Sequence, residues 1–90
     1  MNAAEREQLC LSLLRFLTAN TTRFGLSAAL LHQMAKVEGR SRLTQDDVEA
    51  ALLYLAHPQR AYIEEVLPGL TRVTPTWRAT PKGEDYAATH

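Results

Sequence analysis

Five side chains in this chain have the chemistry to grip a polyanion: Arg40, Arg42, Arg60 and Arg72 as cations, and Gln45 as an amide. Arginine forks onto phosphate oxygens, and a glutamine amide can pair with the edge of adenine. Three phosphates neutralised by Arg40, Arg42 and Arg72 would give a log–log salt slope of about −0.9 per phosphate. Close by in sequence stands a set of opposite character, Asp46, Glu49, Ala50 and Leu53. Acidic and apolar together, it repels phosphate and suits a basic protein partner. Both sets also have a plain structural explanation. Carboxylates in the first turn of a helix gain roughly 0.3–1 kcal/mol from its dipole, and single arginines commonly do no more than solvate a surface.

Other chemistry finds little footing. His32, His57 and His90 lie far apart, at none of the close spacings that hold a metal, and Cys10 is the only cysteine. Cys10 falls among leucines with no histidine beside it, which suits a small buried hydrophobe better than a nucleophile. The glycines at 25, 39, 69 and 83 form no phosphate-cradling cluster. No enzyme, metal or cofactor is implied. Trp77 and Tyr62 could stack on bases, but aromatics on paired strands more often close a core, and Tyr54 and Tyr86 read as packing residues with a wet hydroxyl. We assign Trp77 to the core.

Ninety residues and 10.1 kDa make one domain, residues 1–90. Ten Lys and Arg balance ten Asp and Glu, and the pI is near 6.8. A dedicated nucleic-acid domain usually carries a basic excess, so any charge-driven binding must come from local clustering. A lone cysteine, with neither a leader pattern nor a long apolar run, points to the cytoplasm and away from a membrane.

Local signals divide the chain into elements. Asn2 caps a first helix with Glu5 completing a capping box, and the helix runs to about Thr18. Leu9, Leu13, Phe16 and Leu17 form its core stripe. Cys10, Leu11 and Leu14 widen the arc beyond one core-facing side. The excess in Leu11 and Leu14 fits either a homodimer contact or packing under the N-terminus or the last helix. Residues 19–25 read as a turn or short strand. Ser27 caps a second helix, Leu26 and Leu31 staple its entrance, Leu30, Met34 and Val37 face inward, and His32, Gln33 and Lys36 face solvent. Gly39 ends it in the left-handed conformation. Thr44 and Asp47 form the cap of a third helix that ends near His57, with Leu43 and Val48 as its staple. Val48, Ala51, Leu52 and Leu55 are buried, and Asp46, Glu49, Ala50 and Leu53 lie opposite. A strand spans 61–66, Pro68-Gly69 opens a loop, and a return strand covers 76–79. Thr80 then caps a final helical turn with Pro81 in first position, and residues 87–90 fray.

Three helices, a hairpin over about 60–79 and the closing run Trp77, Arg78, Ala79, Thr80, Pro81, Lys82, Gly83 resemble the winged-helix family. That family closes with an aromatic-Arg-Leu-Thr-Pro-Lys-Gly-like segment, and here Ala79 takes the usual place of leucine. The resemblance implies a mainly α fold, a three-helix winged-helix domain with a small antiparallel β-hairpin and a short C-terminal helix. It also implies binding of double-stranded DNA by a small transcription regulator, or by a replication or recombination accessory of bacterial or phage type. In that reading the third helix enters the major groove with Gln45 nearest the bases, and Arg40, Arg42, Arg60 and Arg72 hold the backbone. The alternative it implies is a protein partner docked on Asp46, Glu49, Ala50 and Leu53.

Overall fold

A computed structural model describes residues 2–20, 24–66 and 74–90. The first helix, α1, covers Ala3–Ala19. Asn2 accepts the Glu5 N–H at 2.8 Å. The return half of the expected box differs, because Glu5 Oε1 meets the Asn2 side-chain amide at 3.5 Å and not its backbone. Leu9, Leu13 and Leu17 are buried, as are Cys10 and Leu14. The arc is wide because α1 is covered from several sides, by the second and third helices, by a strand and by the last helix. Leu14 is fully enclosed beneath the last helix and has no surface to offer a second subunit, whereas Leu11 is half-buried.

A two-residue strand β1, Leu26–Ser27, follows Gly25, so the strand falls just after the stretch 19–25. Gly25 sits at φ +70, and a Cβ there would come within 2.5 Å of the Trp77 carbonyl. Helix α2, Ala28–Val37, starts at Ser27, whose hydroxyl accepts the Leu30 N–H at 3.3 Å. Its inner face is not the expected one: Leu31 and Ala35 are buried and Met34 half-buried, while Leu30 is 42% and Val37 89% exposed. Apolar residues at 28, 29, 30, 31, 34, 35 and 37 leave the helix without a unique inner stripe. The pairing of β1 with a later strand sets its rotation. His32, expected in solvent, is half-buried, and its Nε2 donates to the Leu43 carbonyl at 2.7 Å. Gly39, at φ +107, ends α2 with its N–H on Lys36 O and the Arg40 N–H on Ala35 O, a Schellman closure.

Helix α3, Gln45–Ala56, begins with both halves of the expected box, Asp47 N–H to Thr44 Oγ1 at 3.2 Å and Thr44 N–H to Asp47 Oδ2 at 3.1 Å. Val48, Ala51, Leu52 and Leu55 are its buried residues. After His57 the chain turns through Ala61, which stands at φ +50. The strand expected from Ala61 therefore begins later, as β2, Ile63–Val66. β3, Thr76–Ala79, pairs antiparallel with it, Ile63 opposite Ala79 and Val66 opposite Thr76. Leu26 also pairs with Trp77, so the hairpin becomes a three-stranded sheet in the order β1-β3-β2.

Helix α4, Pro81–Thr89, is longer than a single turn. Thr80 Oγ1 accepts the Gly83 N–H at 3.1 Å and donates to Ala61 O at 2.6 Å. The last residues do not fray as expected. His90 stacks on Tyr86 at 3.9 Å between ring centres, and its carbonyl accepts from Arg15. Gly83 is buried, and a Cβ at that position would run into the Tyr62 carbonyl and press on Leu14. This close approach seats α4 against the chain entering β2 and against Leu14 of α1. The described residues are thus mainly helical, with four helices and a small antiparallel sheet among them.

Candidate interaction face

Helix α3 has two sides of opposite character. Its inner stripe is closed in the core, and Asp46, Glu49, Ala50 and Leu53 are all exposed on the outer side, Leu53 by 65%. Spacings of three and four residues put these four on one continuous face. Gln45 joins them at the start of the helix, exposed, with its amide 3.5 Å from Glu49 Oε1. Asp47 does not share this role. The Thr44 backbone N–H, and then the Thr44 hydroxyl, hold its carboxyl below the usual aspartate range.

A groove of about 250 Å³ runs beside this face. Leu52 and Leu53 form one wall, with Gln45 and Glu49 above them, and Ala28 and Ala29 at the start of α2 form another. Thr74, Pro75 and Trp77 complete it from the β3 side. Trp77 is therefore not a closed core residue: it is half-buried, packed on the core and turned partly to the groove. The sequence offered a signal in Trp77, but that its neighbours would be Ala28 and Ala29 depends on the pairing of β1 with β3.

The basic residues do not gather around Gln45. Arg40 is half-buried, and its Nη2 donates to Ser12 of α1 at 3.0 Å. Arg60 lies on the Tyr54 ring, 3.5 Å from its centre, and donates to the Tyr54 carbonyl at 3.3 Å. Arg78 forms the one ion pair among the described residues, with Glu64 at 2.6 Å. Lys82 rests 5.5 Å above Tyr62. Arg42 is exposed, beside Arg40 in a shallow depression shared with Glu5 and Asp47. Arg72 and the Pro68-Gly69 loop lie outside the described residues.

On another side of the molecule, Glu7, Cys10, Leu11, Tyr54, Arg60, Tyr62 and Tyr86 surround a smaller cleft. Burial pushes the Cys10 thiol above its ordinary value, with Arg6 and Arg60 opposing the shift. The thiolate is correspondingly scarce at neutral pH. No group of three or more His, Cys, Asp or Glu among the described residues could hold a metal ion, and no helix among them is long and apolar enough to cross a membrane. Comparison with family models, with curated proteins and with solved structures gives no match, so the reading of this face rests on its own geometry.

Proposed function

We propose that this chain is a non-catalytic winged-helix module of the cytoplasm whose working surface is the outer face of α3, and that this face docks a basic protein partner. The order of three helices, hairpin and closing helix supports the fold reading. One observation carries the functional reading: two exposed carboxylates without ion partners among the described residues, Asp46 and Glu49, stand beside exposed Leu53 and an open apolar groove. Apolar surface gains about 25 cal/mol for each Å² withdrawn from water, and acids on the rim select cationic neighbours. Phosphate would be opposed here by about 1 kcal/mol per close like-charge pair in water, and by more on desolvation.

Duplex DNA binding by a small regulator, or by a replication or recombination accessory, is the second reading. It is favoured by exposed Arg42 just ahead of α3 and exposed Gln45 in its first turn. Reversing Asp46 and Glu49 to lysine separates the two readings. Docking predicts lost partner binding with duplex affinity still negligible. The DNA reading predicts that the reversed protein binds random duplex more tightly, and that Arg42→Ala weakens this binding and flattens its salt dependence. A wild-type chain that binds random duplex at moderate salt would displace the docking proposal.

A further inference from the structure

We infer that the groove beside Trp77 takes one large apolar side chain from an amphipathic helix of a partner protein, with lysines or arginines of that helix seated against Asp46, Glu49 and Glu65. This inference rests on the docking reading and adds the chemistry and form of the occupant.

Size comes first. A cavity of about 150 Å³ is enough for a benzene-sized group, so a groove of about 250 Å³ accepts one aromatic or branched aliphatic side chain and part of its stem. Backbone pairing is closed to the occupant at β3, because β1 takes one edge of that strand and β2 the other. What remains is side-chain insertion. Asp46, Glu49 and Leu53 fall at i, i+3 and i+7 along α3, the spacing at which one helix packs along another. The matching surface is a helix with cations one turn apart and an apolar residue beyond them.

Charge then decides among occupants. Glu65 is the direct cross-strand partner of Trp77, and residues directly opposite on antiparallel strands share a face of the sheet. It therefore adds a third exposed carboxylate near the groove, and none of the three has an ion partner among the described residues. A second copy of this chain meeting face to face would set these acids against one another, since a two-fold interface opposes identical patches. A nucleic-acid backbone meets the same repulsion. A basic helix gains from all three carboxylates.

Trp77 is the only tryptophan in the chain, so its emission reports directly on the groove. The test titrates the whole protein with a synthetic amphipathic helical peptide of leucine and lysine, and in parallel with the same peptide carrying glutamate for lysine. The expected result is a saturable blue shift with the lysine peptide alone, weakened about tenfold by Leu53→Glu and similarly by Glu49→Lys. Both residues are exposed, and far-ultraviolet circular dichroism checks that the variants keep their helices. Equal shifts with both peptides would overturn the basic-partner inference and leave docking standing. A shift with random duplex DNA and with neither peptide would overturn docking itself. A blue shift on concentrating the protein alone would assign the groove to a second copy and reject the proposed occupant.

Discussion

The cleft around Tyr54 and the groove around Trp77 are both lined by aromatic and aliphatic side chains, yet among the described residues only the cleft has its rings met by the chain's own cations and aromatics. At the cleft, Arg60 covers the Tyr54 ring, Arg6 approaches it at 5.2 Å, and α4 supplies Tyr86 against Tyr62 at 4.6 Å. At the groove, Trp77 shares the lining with the small Ala28 and Ala29, beside exposed Leu53 and acids that have no ion partner among the described residues. Aromatic residues whose faces are met by the chain's own cations and rings serve the fold. Those left half-covered beside uncompensated charge are the ones to examine for a partner.

The sharpest way to break the comparison is at the seat of α4, which supplies Tyr86 to the cleft. Gly83→Ala would drive a methyl group into the Tyr62 carbonyl and is expected to cost roughly 3 kcal/mol, read as a lower midpoint in urea unfolding. Loss of less than about 0.5 kcal/mol would mean that α4 does not approach the Tyr62 backbone and Leu14 as described. Next come paired substitutions on the two sides. Arg60→Ala removes a cation–ring contact and a hydrogen bond, and should lower stability by about 1 kcal/mol while leaving binding of the leucine–lysine peptide unchanged. Leu53→Ala, at an exposed site, should do the reverse, with stability within about 0.5 kcal/mol of the parent and peptide affinity reduced.

Two smaller effects sharpen the picture of the frame. Ala61 occupies the left-handed region, so Ala61→Gly should raise stability by about 1 kcal/mol or less, detectable as a higher thermal midpoint. Asp47 has its folded pKa held below the ordinary value by Thr44. Its contribution is therefore present above the unfolded pKa and is lost as pH falls through the folded one. The stability gap between wild type and Asp47→Ala should be flat at neutral pH, shrink once pH drops below the ordinary aspartate value, and disappear further down. A gap that widens on acidification would contradict the bonding at the start of α3.

What was legible in the sequence follows the range of the interactions. The limits of α3, its cap and its four buried residues depend on neighbours within a few positions, and Thr44, Asp47, Val48 and Leu52 announce them. The acidic-apolar face was legible for the same reason, as the complement of that stripe. The inner face of α2 was not, because Leu30 and Leu31 compete for it and the choice is made by β1 pairing with distant β3. Neither was Ala61 as a turn residue, since nothing in its side chain marks a positive φ. The directions of Arg40 and Arg60 depend on Ser12 and Tyr54, contacts that spacing does not encode. The groove needed Ala28, Ala29, Leu53, Pro75 and Trp77 brought together from three parts of the chain.

The most direct measurement is a chemical-shift map of the isotope-labelled protein titrated with the leucine–lysine peptide and, separately, with random duplex DNA at moderate salt. The account predicts that the peptide moves the Trp77 indole and the amides of Ala29, Glu49 and Leu53 and that the duplex moves nothing. Shifts produced by the duplex and centred on Arg42 and Gln45, with the Trp77 indole unmoved by peptide, would contradict it.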